Sequence, residues 1–496
     1  MFIVFTMKLV TSFRCCRILQ SFQRRSILGF HLQRLYSSQQ QFRVCVVGSG
    51  PAGFYTAQSL VKNNKNITVD ILEKLPVPFG LVRYGVAPDH PEVKNVINQF
   101  TALAQGGRCQ FFGNIDIGND VTVSELLDMY SAVVLSYGAA SDKKLNIPGE
   151  NLKGVYSARN FVGWYNGLPQ DMELNPNLDT ETAMVIGQGN VALDVARILL
   201  TPIEILKKTD ISYHAQEALS RSKVKRVYLV GRRGPLQVSF TIKELREMVK
   251  LPGTRPLLQT ADFKGLDKVI PGLPRGKKRL IELLYKTANE EPRNADRIET
   301  TNREWGLKFL RSPLEIIADK SGGCVAGVRF AINHIQEKGG QEIALPSGEE
   351  EFIKCGIVLK SIGYKSVQLD PIIPFDTAQG VIKNDKGRVD KVRGLYCSGW
   401  VKRGPVGVIL SSLNDSIETA KTIITDIEDG TLSEKTSETS LLDLLTSRGV
   451  KTVTFEDWLN IDREERLRGQ SRDKPREKIS DINEMLDVAF KDKKDT

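Results

Sequence analysis

Arg43-Val44-Cys45-Val46-Val47-Gly48-Ser49-Gly50-Pro51-Ala52-Gly53-Phe54 runs from a β-branched stretch, through a glycine turn, into a helical pattern of Phe54, Ala57, Leu60 and Val61. A second apolar stretch, Ile67 to Leu72, follows and ends at Glu73. Strand, glycine turn, helix, strand and acid, in that order, are the parts of a dinucleotide-binding unit. Gly48 permits the tight turn, Gly50 lets the backbone approach a pyrophosphate, and Gly53 allows helix and strand to pack closely. The helix N-terminus then offers free N–H groups and a positive dipole end to the phosphates. Glu73 stands 20 residues past Gly53, where a carboxylate accepts hydrogen bonds from ribose hydroxyls. A glycine turn without a ligand is the plainer alternative, and it leaves the matching acid unexplained.

The middle of the chain repeats the pattern. Ala183 to Ile186 reads as a strand, Gly187-Gln188-Gly189-Asn190-Val191-Ala192 as the turn, and Val191 to Leu200 as the helix. The next strand, Val227 to Val230, ends in Gly231-Arg232-Arg233 instead of an acid. Two guanidiniums suit a 2′-phosphate that a carboxylate would repel, so this second site is expected to prefer NADPH. A surface arginine pair behind an ordinary buried strand is the alternative. The 40 residues from Ala192 to Arg232 exceed the usual figure of about 20, which predicts an insertion or helix extension over 201–222. Two dinucleotide folds with opposite ribose chemistry imply FAD at the first and NADPH at the second, in a flavoprotein that takes hydride from a nicotinamide.

Composition narrows the rest. With 496 residues, 41% of them hydrophobic and 26% charged, the chain is too long for one small core and too apolar to be disordered. Seven cysteines without a C-x-x-C pair or a Cys/His cluster argue against a bound metal, a cluster or a dithiol redox centre. The electron acceptor must therefore be external. No stretch reaches the roughly 20 uncharged apolar residues of a membrane span. The formal charge of +10 is uneven, because residues 1–40 hold Lys8, Arg14, Arg17, Arg24, Arg25 and Arg34 and no acid. Such a leader predicts a mitochondrial transit peptide over 1–40, with Arg34-Leu35-Tyr36-Ser37 as a processing site; a plain basic tail is the alternative, and a secretory signal is weaker because arginines interrupt its apolar core.

Later segments fit a discontinuous flavin domain. Val133 to Ala139 reads as a strand entering a small-residue turn, Cys355 to Tyr364 as the return strand, and Gly394 to Trp400 as a late flavin-binding strand. Gly404-Pro405-Val406-Gly407-Val408-Ile409 then opens a helix whose N-terminus is suited to the flavin carbonyl oxygens. The expected architecture is α/β, two Rossmann-like dinucleotide-binding domains with the NADPH domain (142–365) inserted into a discontinuous FAD domain (41–141 and 366–496). Arg275, Lys278 and Arg279 stand at helical spacing and so share one face, which reads either as a solvated basic run, the commoner case for isolated charges, or as a face that steers an acidic partner.

Together, Val46 to Ala57, Pro76 to Pro91, Gly187 to Leu200, Gly399 to Pro405 and Pro475 to Lys478 resemble the mitochondrial NADPH:adrenodoxin oxidoreductase family, the ferredoxin reductases. The resemblance implies a monomeric FAD enzyme of the mitochondrion, peripheral on the matrix side of the inner membrane. It implies transfer of single electrons from NADPH to an acidic two-iron ferredoxin of the adrenodoxin type, which supplies cytochromes P450 in steroid metabolism or iron-sulfur cluster assembly. Carried over residue by residue, FAD contacts fall on Ala52, Glu73, Leu81, Ile117, Trp400, Gly407, Val408 and Ile409, beside Gly48, Gly50 and Gly53. NADPH contacts fall on Gln188 to Val191, Arg232, Arg233, Glu244 and Gly407, beside Gly187 and Gly189. Ferredoxin docks on Arg246, Arg275 and Arg279, and His90 and Asp194 join a charged network between flavin and partner surface. No covalent nucleophile, general base or metal is expected. Two rival readings are a glutamate-synthase-type subunit, which needs cluster cysteines absent here, and a basic NADP-sensing protein for nucleic acid, which leaves two nucleotide sites unexplained.

Overall fold

The computed structural model describes residues 41–289, 302–407, 409–435 and 440–493. The expected leader, residues 1–40, and Val408 lie outside them. Strands β1 (Phe42–Val47), β2 (Ile67–Leu72), β3 (Cys109–Gly113) and β4 (Ala132–Leu135), with helix α1 (Pro51–Asn63) crossing from β1 to β2, begin a first sheet. β1 pairs in parallel with both β2 and β4, Val44 standing opposite Val69 and Ala132. Val44, Cys45 and Val46 have no exposed surface, as a parallel strand covered on both faces requires.

A second sheet contains β5 (Val155–Ser157), β6 (Thr182–Ile186), β7 (Arg226–Val230), β8 (Thr254–Leu257), β9 (Arg303–Lys308) and β10 (Ile357–Lys360). All its pairings are parallel, in the order β5-β10-β6-β7-β9-β8. Helices α2 (Asn190–Leu200), α3 (Ile242–Val249) and α4 (Arg275–Asn289) belong to this half. The chain returns to the first sheet with β11 (Leu395–Cys397), parallel to β4, giving a parallel centre β11-β4-β1-β2-β3 to an eight-stranded sheet whose outer strands, Asn384–Asp385 and Arg388–Val389 beyond β11 and Val453–Thr454 beyond β3, pair antiparallel. Strand order reverses between β1 and β4 and between β6 and β10, and at such switch points a ligand crevice opens beyond the carboxyl ends. Ser141–Asp142 and Tyr364–Lys365 pair antiparallel where the chain leaves the first sheet and comes back.

The stretch 201–222 is an insertion with two short helices, Ile203–Leu206 and Tyr213–Ser220. Between β9 and β10 lies an antiparallel sheet of Arg311–Ala318, Val325–Lys338 and Gln341–Lys354, which the motifs do not announce. Its long hairpin turns at Gly339 and Gly340, both left-handed with φ 61° and 74°, as a two-residue hairpin loop demands.

Helix α5 (Ile409–Glu428) lies on α1. Among its described residues the tail, where sequence periodicity is visible only from Ile479 to Phe490, holds the α-helices Leu441–Ser447, α6 (Phe455–Gln470) and Ile482–Ala489. α6 turns Phe455, Trp458, Ile461, Glu465 and Gly469 inward. That stripe is regular, but a glutamate stands in its middle and hides it from a hydrophobicity reading. Glu465 is fully buried against Arg83, itself 3% exposed, and receives Arg476 Nη1 at 3.0 Å and the Ile479 N–H at 3.0 Å. Among the described residues no helix is long and apolar enough to cross a membrane.

Candidate functional site

At the end of β1, Gly48 adopts φ 104°, and a Cβ there would lie 2.7 Å from the Ser136 carbonyl oxygen. A Cβ on Gly53 would lie 2.0 Å from the Gly48 oxygen, so only glycine lets α1 come this close to the turn. Around Gly50 an added Cβ would meet nothing within 4 Å. Gly50 is also the N-cap of α1 and makes no side-chain capping bond. Open space over an uncapped helix N-terminus fits a pyrophosphate. Glu73 Oε2 accepts from Ser49 N–H at 2.9 Å and Ser49 Oγ at 2.6 Å. The acid thus braces the turn from the end of β2.

Other residues assigned to this site gather at its rim with different exposures. Phe79 sits at φ 86°, a strained value for an aromatic residue, and its N–H bonds the Ser49 oxygen at 3.1 Å. That turn presents Leu81, 42% exposed, next to Gly80, whose added Cβ would be 3.0 Å from Gly50 Cα. Ile117 instead lies in the core of the first sheet with Val121 and Leu135. Gly399, at φ 75°, packs on Ala52, since a Cβ there would reach Ala52 Cβ at 2.4 Å. Trp400 follows and sets its ring 5.9 Å from that of Tyr364 on the returning chain. Beneath it, Asp415 accepts the Gly399 N–H at 2.5 Å and pairs with buried Lys402 at 2.9 Å. Gly407 is left-handed at φ 91°, where a Cβ would meet Ser411 Oγ at 2.5 Å. Ile409 opens α5, and its neighbours Val406 and Leu410 leave apolar side chains exposed.

The second turn repeats the geometry of the first. Gly187 has φ 133°, with the Ser361 oxygen 2.1 Å from where a Cβ would be, while the space around Gly189 is open and α2 lacks a side-chain cap. Gln188 is committed to structure: its Nε2 donates to the carbonyls of Leu229 at 3.1 Å and Lys308 at 3.2 Å. Asn190 Oδ1 accepts the Thr241 N–H at 2.8 Å and ties α2 to the start of α3. Val191 packs partly buried on the core of the second sheet. Arg232 and Arg233 are exposed, and no described carboxylate pairs with either. Their carbonyls are pinned by Asn333 Nδ2 at 2.9 Å and by Leu310 N–H at 3.1 Å. The result is two free guanidiniums on a fixed backbone.

Between the two turns stands a charged cluster that a motif reading captures in part. His90 Nε2 lies 2.7 Å from Glu247 Oε2. Arg197, 3% exposed, pairs with Asp89 at 2.5 Å and Asp194 at 2.7 Å and lies 3.7 Å from both Glu244 and Glu247. Arg197 is therefore the hub, and its sequence signal is a lone arginine three residues after Asp194 on an apolar helix. Burial raises the Asp194 carboxyl against that pairing. Glu244 is pushed up to about 7, by burial first and then by Asp194 and Glu247. Its buried Oε2 has no hydrogen-bond partner among the described residues. Arg246, on the other side of α3, is exposed, as are Arg275 and Arg279 on α4. Among the described cysteines, Cys45, Cys109, Cys355 and Cys397 are buried, and burial raises all four thiols.

Two sheets with parallel centres, each with a glycine turn at its switch point, define an oxidoreductase of the two-dinucleotide class. The sequence profile of the pyridine nucleotide-disulphide oxidoreductases accordingly matches residues 42–250. The chain is 54% identical over 484 residues to the mitochondrial NADPH:adrenodoxin oxidoreductase of Salvelinus fontinalis, covering 96% of either protein. It is 56% identical to that of Homo sapiens over 456 residues, covering 91% of this chain and 93% of that one. The solved structure of Mycobacterium tuberculosis FprA in complex with NADPH superposes with a TM-score of 0.85 at 39% identity, covering 91% of this chain and all of that one. The chain belongs to the NADPH:adrenodoxin oxidoreductase family, and these two curated relatives are mitochondrial by name.

Proposed function

We propose that this enzyme binds FAD at the first glycine turn and NADPH at the second, and passes electrons to an acidic two-iron ferredoxin of the adrenodoxin type. The observation that carries this reading is the opposite chemistry of the two strand ends: Glu73 at one, and the unpaired Arg232 and Arg233 at the other. A carboxylate receives ribose hydroxyls, whereas two guanidiniums receive a 2′-phosphate. The family membership supports the same assignment. Residues 41–141 and 366–496 form the FAD domain, and 142–365 the NADPH domain.

The first glycine turn, with Glu73, would hold FAD, which would supply the chemistry of accepting a hydride and giving up single electrons. The chain's own part is positioning. The uncapped start of α1 would hold the pyrophosphate, Trp400 would border the flavin ring, and Gly407, without a side chain, would keep the adjoining space open for the nicotinamide. Arg246, Arg275 and Arg279 present a basic face to ferredoxin. His90 and Asp194, through Glu247 and Arg197, connect the two cradles to α3, whose outer face carries Arg246. The protein is a monomer, peripheral on the matrix side of the inner membrane, with residues 1–40 as its transit peptide. Its ferredoxin feeds mitochondrial P450 hydroxylation or cluster assembly.

A visible spectrum of the purified chain tests this directly. A yellow protein that bleaches under anaerobic NADPH and recovers when oxidised two-iron ferredoxin is added supports the reading. A protein that stays colourless after FAD reconstitution, or ignores NADPH, overturns it.

A further inference from the structure

We propose that Lys277 belongs to the nucleotide site and not to the ferredoxin face: it is a third cation, after Arg232 and Arg233, for the 2′-phosphoadenosine end of NADPH. This rests on the assignment of NADPH to the second glycine turn and extends it to a residue that the basic run 275–279 otherwise gives to the partner.

A cleft of roughly 570 Å3 opens between the loop that follows β7 and the first turns of α4, within the range of about 300–1,000 Å3 of small-molecule sites. Arg233 lines it from the loop and Lys277 from the helix. The helix sorts its own residues, because each step turns about 100°. Gly276, Lys277, Leu280 and Ile281 form one stripe, and all four line the cleft. Arg275, Lys278 and Arg279 fall on the opposite stripe, and none of them lines it. One basic segment therefore serves two surfaces.

The lining suits a phosphorylated purine nucleoside. No carboxylate is among the described lining residues, so nothing there repels a dianion. Lys277 is exposed and no described acid pairs with it, which leaves its ammonium available. Leu236 and Ile242 supply apolar surface for a base, and Ser239 supplies a hydroxyl for its polar edge. Gly276 keeps the mouth clear, since an added Cβ would meet nothing within 4 Å. Arg233 already stands at the end of β7 where the ribose of a dinucleotide lies. A lysine across the same cleft meets the phosphate as a point charge from the second side.

The test is Lys277→Ala in the full, FAD-loaded chain, titrated calorimetrically with adenosine 2′,5′-bisphosphate and with adenosine 5′-monophosphate. The bisphosphate is expected to bind about tenfold more weakly, roughly 1.4 kcal/mol, while the monophosphate is unaffected and the KM for ferredoxin stays as in the wild type. Unchanged bisphosphate affinity, or an equal loss for both nucleotides, overturns the proposal. A raised ferredoxin KM with intact bisphosphate affinity also overturns it and returns Lys277 to the docking face. The underlying assignment fails separately: Arg232→Ala combined with Arg233→Ala would then leave bisphosphate affinity untouched.

Discussion

Glu244 shows how much one carboxyl in this site depends on its surroundings. Held up to about 7 by burial, with Asp194 and Glu247 adding to it, it keeps a proton that the unfolded chain releases near the ordinary value of 4.5. A raised pKa of this kind contributes stability that is fully present below about 4.5 and lost as pH rises through about 7. Glu244→Gln, neutral throughout, should therefore gain on the wild type with rising pH. Thermal unfolding without nucleotide should show nearly equal Tm values at about pH 5 and an advantage of a few degrees for the variant at about pH 8. A difference independent of pH would place the titrating group elsewhere. At this scale the sequence is most legible where backbone geometry demands a residue type. Gly48, Gly53 and Gly187 each stand where a Cβ would strike a carbonyl oxygen, and Arg232 and Arg233 stand exposed with no described acid beside them. Arg197 is illegible because its partners Asp89, Asp194, Glu244 and Glu247 come from three separate segments.

Among elements, α6 and the loop carrying Leu81 depend on one another through Arg83 and Glu465. Removing one partner of a buried ion pair leaves the other charged and unpaired, at a cost of about 3–5 kcal/mol. Glu465→Gln should lower Tm by several degrees and loosen the 79–84 turn. Weakened flavin retention, read as lost visible absorbance after gel filtration, is the expected sign. Full retention with an unchanged Tm would mean that the turn does not need the pair. The parallel centres of the two sheets are legible from their β-branched runs, but the sheet of 311–354 is not. Its outer strand, Gln341–Lys354, contains Pro346, Gly348 and three consecutive glutamates. Those residues read as strand breakers, yet they are tolerated on an edge whose N–H groups face away from a partner.

Charge acts at the level of the whole molecule. The exposed guanidiniums of Arg246, Arg275 and Arg279 belong to a chain whose formal charge beyond residue 40 is only +4, so it is their local field that raises the on-rate of an acidic partner. Changing Arg275 and Arg279 to Glu should lower ferredoxin-dependent cytochrome c reduction about tenfold or more at low salt and flatten its salt dependence. Direct ferricyanide reduction by NADPH should persist, and equal loss of both activities would remove the docking assignment. The two halves are also clamped together by charge. Asp210, in the insertion after α2, lies 2.6 Å from Lys94 and 3.1 Å from Lys478. Although burial opposes its charge, Lys478 and Lys94 hold its carboxyl well below the ordinary range.

The pairing of Arg83 with Glu465 spans 382 positions. A ribosome adding about 5–20 residues per second needs tens of seconds to cover that distance. During that interval the first glycine turn and its helix have been synthesised, while the acid that pairs with Arg83 has not. The border of the amino-terminal βαβ unit is thus completed by residues synthesised near the end of the chain.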